Sequence, residues 1–391
     1  MNVLVMGLRK SVLSELDKKG IAYALWADQE TKLKAPLGTA VAPMHSDREE
    51  LRKFIKTHWP SQSFSHVIAT TEGAVYPASL ARRIVHARLS EKTMVLHCRD
   101  KILMKQYLRY FDIPMTRFID GSRPISVETI VEKLDFPVVV KDRDQSGGRG
   151  LVFAKTIDEL KSAMHVTRIY EKMVNAPEGS IESFIQNGQI QFTNITQYRS
   201  KTHVNIVPAP YPDTECQQIL ELNESVVKAL KIQWGQTHLE FYRSAEGHLF
   251  GEIALRPPGG YIMDLISMAY GFNAWEAFIA VELGIDFIFP KKSVTHAGVY
   301  IVHPGPGVLE EISGVEELKS QPWVSKLKMK ALGGQQLAGR ESVREELGHI
   351  IFTAPTAEEL EQRLLSINSK LKLKVAGQEY HLPLSDVERH L

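Results

Sequence analysis

The chain has 391 residues, of which 43% are hydrophobic and 24% charged, a composition typical of a soluble globular protein with two or three domains. The formal net charge of +1 and the lack of a basic stripe interleaved with aromatic residues give no support for nucleic-acid binding. Two cysteines exclude a disulfide framework, and acidic residues interrupt the most apolar long segment, which argues against a membrane span. We therefore expect a cytoplasmic protein that binds neither nucleic acid nor membrane.

Strands and helices alternate over the first hundred residues. The strands are NVLVMG, IAYALWAD and SHVIAT, and the helices include SVLSELDKKG, a segment opened by the capping-box pair Ser46 and Glu49, and GAVYPASLARRIVHARL. This alternation predicts a parallel sheet covered on both faces. Only Gly7 follows the first strand, where a dinucleotide site needs G-x-G-x-x-G, so we expect a Rossmann-like domain without such a site.

A glycine-rich loop follows the strand PVVVKD, which ends near Lys141. Gly147, Gly148, Arg149 and Gly150 lie between this strand and a second one, LVFAK. Glycines bare the backbone amides, and amides beside cations suit an anion such as phosphate. In a P-loop the glycines connect a strand to a helix and the lysine follows them, whereas here they connect two strands and the lysine precedes them. The pattern predicts a flap at a hairpin tip that folds over a ligand, with a plain surface turn as the alternative.

Two acidic residues lie in a second predicted hairpin, HLEFYRSAEGHLFGEIALRP. Folding about its turn brings Glu240 and Glu252 nearly opposite each other, and the strand period places His238 on the same face as Glu240. Neighbouring carboxylates repel each other, and a magnesium ion would neutralise them while keeping waters at its other positions. Arg256 beside them is suited to a phosphoryl or carboxylate oxygen. The alternative is an exposed hairpin whose acids face water.

The order and spacing of four segments resemble the ATP-grasp superfamily, and within it the carboxylate–amine ligases related to dipeptide ligases and biotin carboxylase. The resemblance covers the chain after residue 98 and, loosely, the domain before it. The four segments are Asp100-Lys101, Lys141 with the loop GGRG, IESFI at 181–185, and LEF with GEIALRP in the acidic hairpin. We therefore expect an α/β protein with α+β elements, in which an ATP-grasp fold with a small lid subdomain follows the Rossmann-like domain.

The resemblance implies that ATP and Mg²⁺ are the cofactors, with Mn²⁺ as a substitute for Mg²⁺. It assigns the metal to Glu240 and Glu252, and catalysis to Arg256 and Lys141. The residues implied in holding the ATP phosphates are Lys101, Lys141, Gly147, Gly148, Arg149 and Gly150. IESFI resembles the hinge between the two halves that hold ATP, and we expect a linker there whose backbone groups near Glu182, Ser183 and Ile185 meet adenine.

Two positions depart from the family pattern. Ala254 stands where the family usually has an asparagine that binds the second metal, and water is the expected replacement. Gln189 stands near the place of a glutamate that binds the ribose hydroxyls, and a glutamine can still form hydrogen bonds with them.

The predicted substrates are a small carboxylate and a small amine, with amino acids as the candidates. Gly259 and Gly260 of PPGGY could admit a substrate against the backbone, and a tight proline turn is the alternative. Arg199 could bind a carboxylate or phosphate, although a solvated charged strand also explains it. Glu72 follows a strand of the Rossmann-like sheet, where such sheets present ligands, and the alternative is that it caps the next helix.

These inferences divide the chain into residues 1–98, the Rossmann-like domain; 99–291, the nucleotide-binding domain with a mobile lid over about 122–183; and 292–391, the C-terminal part of the catalytic domain. The predicted reaction forms an amide through an acyl phosphate, and the family suggests a homodimer. Two alternatives stay open: a carboxylase or phosphotransferase that uses carboxyphosphate or another acyl phosphate, and a degenerate nucleotide-binding sensor or scaffold.

Overall fold

A computed structural model of the chain describes residues 1–88, 92–145, 147–330, 333–339, 346–382 and 384. The strands described there form four sheets. Within the same residues, no helix combines the length and the hydropathy that crossing a bilayer requires.

The first sheet is parallel and lies in the N-terminal part of the chain, as predicted. Its strands in spatial order are β3 (Thr39–Val41), β2 (Ala22–Ala27), β1 (Asn2–Met6) and β4 (His66–Ala69). The helices of this region are α1 (Lys10–Lys18), α2 (Arg48–His58), α3 (Glu72–Ile84) and α4 (Lys92–His97). Asp47, not Ser46, caps α2, because its carboxylate accepts hydrogen bonds from the amides of Glu49 and Glu50 at 2.8 and 3.0 Å.

A small antiparallel sheet, which we call the lid sheet, follows helix α5 (Lys101–Arg109). Its strands in spatial order are β5 (Phe118–Asp120), β8 (Arg168–Lys172), β6 (Val138–Asp142) and β7 (Val152–Ala154). Its helices are α6 (Val127–Leu134) and α7 (Ile157–Ala163), whose apolar residues pack with the sheet in a core of their own. The glycine loop connects β6 to β7, so the predicted hairpin is present. We call residues 143–151 the flap.

The large sheet has eight antiparallel strands and holds the acidic hairpin at one edge. In spatial order the strands are β13 (Gly247–Ala254), β12 (Gly235–Ser244), β9 (Glu178–Gln186), β10 (Gln189–Ser200), β11 (Val204–Val207), β14 (His296–Val302), β18 (Gly348–Ala354) and β16 (Val324–Met329). Apolar residues of α9 (Ile262–Tyr270) and α10 (Ala274–Leu283) cover one face. On the other face lie α8 (Asp213–Ala229) near β9, β12 and β13, and α12 (Ala357–Lys370) near β14 and β18.

The C-terminal region adds a small sheet and continues the large one. The small sheet consists, in spatial order, of β17 (Gln336–Leu337), β15 (Gly307–Ser313), β19 (Lys372–Val375) and β20 (Gln378–Tyr380), and α11 (Val315–Lys319) follows β15 in the chain. Thr356 caps α12, because its hydroxyl accepts a hydrogen bond of 3.2 Å from the backbone amide of Glu359.

The linker predicted at IESFI is instead part of β9, a strand with neighbours on both sides in the large sheet. The connection between the lid sheet and the large sheet is residues 173–177, which follow β8 and precede β9. The prediction was wrong because β9 is buried along its whole length, and its polar side chains find their partners mainly on other elements, such as Asn194 of β10 and His238 of β12. The segment is polar in sequence although it lies in the core.

Candidate active site

The two predicted metal-binding acids are cross-strand partners. Glu240 of β12 and Glu252 of β13 face each other in the ladder, with an irregularity in register directly after Glu240. Their side chains are 36% and 28% exposed. A side chain at Gly251 would place its Cβ 2.9 Å from the carbonyl oxygen of Glu240, so the glycine permits the close approach of the two strands.

Lys101 joins the acidic hairpin to the flap. Its ammonium lies 3.3 Å from a carboxylate oxygen of Glu252 and donates a hydrogen bond of 2.5 Å to the carbonyl of Gln145. Asp100, the N-cap of α5, accepts from the guanidinium of Arg143 at 2.7 Å. The flap therefore begins against the N-terminus of α5, directly beside the acids.

Lys141 lies in a buried charge cluster that the sequence analysis did not identify. Its ammonium donates to Glu171 at 2.9 Å, and the ammonium of Lys105 lies 2.8 Å from the other oxygen of Glu171. Burial would raise the pKa of Glu171, but the two lysines outweigh it and lower that pKa to about 2. Burial lowers the pKa of Lys105, which Glu171 only partly offsets. The sequence gives no signal for a buried Glu171, because its segment RIYEKMV also holds Arg168 and Lys172 and resembles an ordinary charged strand.

The flap glycines adopt backbone conformations that other residues avoid. Gly147, Gly148 and Gly150 have φ angles of 70°, 76° and 66°, in the left-handed region. The carbonyl of Gly150 accepts a hydrogen bond of 2.5 Å from Arg168 of β8, which holds the end of the flap against the lid sheet. Arg149 is exposed in the same loop.

Arg256, which directly follows the acidic hairpin, connects it to helix α3 of the N-terminal region. Its guanidinium Nε donates to Glu72 at 2.5 Å, and Arg99 lies 3.4 Å from the other oxygen of Glu72. Burial would raise the pKa of Glu72, but Arg256 and Arg99 outweigh it and keep that pKa below its usual value. Glu72 is the first residue of α3, and its side chain does not cap that helix; the cap position belongs to Thr71.

The opening of α9 lies close to Arg256 in sequence. Gly259 has open space where a side chain would stand, whereas a Cβ at Gly260 would lie 2.6 Å from the side-chain Nδ2 of Asn205. The carbonyl of Gly260 accepts from Asn205 at 2.8 Å, and Tyr261 follows with a left-handed φ of 61°.

A buried network surrounds Glu240 on the same face of the large sheet. His238 lies with Nδ1 2.9 Å from Glu182 and Nε2 3.5 Å from Glu240, and Tyr198 donates to Glu240 at 3.3 Å. Burial opposes protonation of His238, but Glu182 and Glu240 outweigh it and raise its pKa to about 9. Burial would raise the pKa of Glu240, but the hydrogen bond and the charge of His238 outweigh it and lower that pKa. The sequence places His238 on the right face but gives no sign of Glu182 as its partner.

The residues predicted to meet adenine are not available for that contact. Glu182, Ser183 and Ile185 pair with β10 on one side and β12 on the other, so ladder hydrogen bonds engage their backbone groups. The carboxylate of Glu182 is fully buried. An adenine contact with these backbone groups is therefore excluded by the sheet.

Two further candidates lie away from the acids. Gln189 is exposed at the hairpin of β9 and β10, six positions along β9 from the partner of Glu240, a span of about 20 Å. Arg199 contacts Glu361 of α12 at 2.8 Å, on the face opposite Tyr198. Neither belongs to the site formed by the acids, the lysines and the flap.

The donors available at the acidic hairpin suit a hard cation, because two carboxylates face each other and remain partly exposed. As the side chains stand, no group of three or more histidine, cysteine, aspartate or glutamate side chains within the described ranges is arranged to hold a metal ion. Glu252 is turned towards Lys101.

Comparison with known proteins identifies two domains in the chain. The profile of the ATP-grasp domain matches residues 106–265, and that of the L-amino acid ligase C-terminal domain 2 matches residues 299–376. The L-arginine-specific L-amino acid ligase of Bacillus subtilis is 24% identical over 347 residues, which cover 83% of this chain and 81% of the relative.

Solved structures share the fold. The L-amino acid ligase from Bacillus licheniformis superposes with a TM-score of 0.78 at 19% identity, covering 96% of this chain and 98% of the other. The N5-carboxyaminoimidazole ribonucleotide synthetase from Thermotoga maritima superposes with a TM-score of 0.74 at 17% identity, covering 95% and 99%. The resemblance to ATP-grasp ligases inferred from the motifs is thus confirmed: the chain contains an ATP-grasp domain, matched over residues 106–265, and shares its fold with these solved structures.

Proposed function

We propose that this ligase joins amino acids, forming a peptide-like amide bond with release of ADP and phosphate. The amino-acid substrates are inferred from the names of the relatives, which include an L-arginine-specific L-amino acid ligase. The observation that carries the proposal is the position of Lys101, which contacts both the flap carbonyl of Gln145 and the acid Glu252. A ligand held by the flap would therefore lie against the acidic hairpin.

In this proposal the phosphates of ATP lie between the flap and the acidic hairpin. Lys101, Lys141 and the amides of Gly147, Gly148 and Gly150 bind them, with Arg149 at the flap tip. Lys141 is now held by Glu171, and Lys105 stays behind as the partner of Glu171 when Lys141 turns to a phosphate. We place adenine against residues 173–177, because this connection lies outside both ladders, between the two sheets.

Glu240 and Glu252 would hold the metal, Mg²⁺ or Mn²⁺. When bound, the metal neutralises charge on the phosphate oxygens. Ala254 supplies no third ligand, and waters complete the coordination shell.

The residues act by alignment and charge stabilisation. An oxygen of the carboxylate substrate attacks the γ-phosphorus, and the bond to the β-phosphate oxygen breaks to release ADP. The amine nitrogen then attacks the acyl carbon, phosphate leaves and the nitrogen loses a proton. Arg256 faces the transferring group, and a preorganised donor of this kind contributes about 3 kcal/mol. The flap excludes water from the acyl phosphate.

We place the amino-acid substrates between Arg256, Glu72 and the turn at Gly259 and Gly260. Glu72 holds Arg256 in place, and Arg256 suits a carboxylate. The open space at Gly259 leaves room for a substrate side chain. The cytoplasmic location and the homodimer inferred from the sequence stay predictions.

The test is a panel of amino acids, singly and in pairs, with MgATP. Phosphate release is measured together with mass spectrometry of the products, and Glu252→Gln serves as the inactive control. Phosphate release that needs two amino acids and yields a dipeptide supports the proposal. An acyl phosphate formed from one carboxylate without an amine and without phosphate release indicates a phosphotransferase, phosphate release with bicarbonate indicates a carboxylase, and ATP binding without turnover on any arm indicates a sensor.

A further inference from the structure

Glu182 is a fully buried carboxylate with an unusually complete set of partners. Its side chain is 0% exposed. One oxygen accepts from Ser180 at 2.7 Å and lies 2.9 Å from Nδ1 of His238, and the other accepts from Asn194 and Thr196 at 2.8 and 2.7 Å. A carboxylate is costly to bury unless its hydrogen bonds are satisfied, and these contacts fix its position and its orientation.

The imidazole of His238 is therefore fixed through Nδ1, and its Nε2 is directed towards Glu240. With Nδ1 on Glu182, Nε2 lies 3.5 Å from Glu240 and 3.4 Å from the hydroxyl of Tyr198. The same oxygen of Glu240 accepts from Tyr198 at 3.3 Å. Both contacts engage Oε1, so Oε2 of Glu240 is the oxygen left for a metal.

The ladder adds a second observation. His238 lies directly opposite Ala254, the position where a third metal ligand would have been expected from the family pattern. With a methyl group at this position, Ala254 cannot bind Glu240 or a metal. The position of the Glu240 carboxylate then depends on its contacts with His238 and Tyr198.

We infer that His238, anchored by Glu182, is a positioning residue that holds the Glu240 carboxylate in the orientation needed for metal binding. The inference rests on the proposed function, because it takes Glu240 as a metal ligand. A glutamate that is one-third exposed has several rotamers of similar energy, and a fixed neighbour on one oxygen selects one of them. Partners behind a metal ligand commonly change metal affinity by about 10–100-fold.

The competing role for His238 is structural, as the buried partner of Glu182. The substitutions His238→Asn and His238→Gln separate the two roles. Both remove the imidazole and its charge. The asparagine amide reaches only the position of Nδ1, and so keeps the contact with Glu182. The glutamine amide reaches the position of Nε2, and so keeps the contact with Glu240 while losing the one with Glu182.

The measurement is Mn²⁺ binding to the full-length protein in the presence of ADP, followed by electron paramagnetic resonance of free Mn²⁺, with thermal melting in metal-free buffer and metal-free ADP binding as controls. We expect His238→Asn to bind Mn²⁺ about tenfold more weakly than His238→Gln. We expect the melting temperatures in the reverse order, with His238→Asn the more stable, and ADP binding unchanged in both.

Equal Mn²⁺ affinity in the two variants, or weaker binding by His238→Gln, would overturn the inference. Should neither variant fold, the isosteric Glu182→Gln carries the test, with weaker Mn²⁺ binding expected and unchanged binding counting against the inference. Wild-type protein and Glu240→Gln are measured alongside. If the wild type binds no Mn²⁺ beyond the level of Glu240→Gln, it is the proposed metal site that fails.

Discussion

At the scale of single residues, the stability of the site depends on Glu171. This buried carboxylate lies between Lys105 and Lys141, each within 3 Å of one of its oxygens, at 2.8 and 2.9 Å. The lysines come from α5 and β6, whereas Glu171 lies on β8. One acid thus joins three elements and compensates one buried and one partly buried cation before any phosphate is bound.

We predict that Glu171→Gln lowers the free energy of unfolding by about 3–5 kcal/mol, because it leaves the buried ammonium of Lys105 and the partly buried ammonium of Lys141 without their shared counter-charge. Urea denaturation at neutral pH measures the change. The matched control is Glu132→Gln on the exposed surface of α6, for which we expect a change below about 0.5 kcal/mol. Equal effects of the two substitutions would contradict the prediction.

We also predict a pH dependence from the same residue. The pKa of Glu171 is about 2 in the folded protein, against an ordinary value of 4.5. Because the folded-state pKa is depressed, the contribution of Glu171 to stability is complete above about pH 4.5 and is lost as the pH falls towards 2. The urea midpoint of the wild type should fall over this range more steeply than that of Glu171→Gln, and parallel curves would exclude this contribution.

At the scale of elements, the flap between β6 and β7 requires glycines in the left-handed region. At Gly150 the φ angle is 66°, and an added Cβ would lie 2.8 Å from the carboxylate of Asp142. The shape of the flap beside Lys141 therefore depends on a residue without a Cβ at this position. Its two ends are tied down, through Gln145 to Lys101 and through Gly150 to Arg168.

We predict that Gly150→Ala raises the KM for ATP about fivefold, because the left-handed conformation costs a residue with a Cβ about 1 kcal/mol. Steady-state kinetics with varied ATP measure this. Gly377→Ala is the control, since Gly377 has a left-handed φ of 80° in the turn between β19 and β20, with no atom near an added Cβ. It should leave the KM for ATP unchanged, and a rise of similar size there would indicate a general loss of stability.

At the scale of the whole molecule, three parts of the chain meet at the site. The N-terminal region contributes Glu72 at the start of α3, and the lid sheet contributes Lys141 and the flap. The large sheet contributes Glu240 and Glu252, and Arg256 follows directly after β13. The lid sheet has a core of its own and joins the large sheet through the short connection 173–177. A part built in this way can move as a unit about its connection.

We predict that the lid sheet closes over the nucleotide. Hydrogen–deuterium exchange of backbone amides should slow across residues 118–172 on addition of MgADP, because closure buries the flap and β6 to β8. The strands β14 and β18, remote from the acids in the order of the large sheet, serve as the internal control and should be unaffected. Unchanged exchange in the lid sheet, at a concentration where MgADP binds, would contradict the prediction.

Local patterns in the sequence determined much of the fold. The alternation of strands and helices predicted the parallel N-terminal sheet, and the strand period on either side of a turn predicted that Glu240 and Glu252 are cross-strand partners. The glycine loop between two strands was likewise readable, because hairpins are made by neighbouring segments. Each of these features depends on residues close together in the chain.

The partners of the charged residues were decided only by the tertiary structure. Glu171 contacts Lys105, which lies 66 positions earlier in the chain, and no local pattern encodes this contact. Glu182 is buried because strands β10 and β12 flank β9 on both sides. For the same reason the connection between the lid sheet and the large sheet lies at residues 173–177, not at the predicted 181–185, and Gln189 and Arg199 lie away from the site. A sequence determines which face of a strand a side chain occupies, but the energy of a buried charge depends on which distant groups reach it, and only the folded chain sets that.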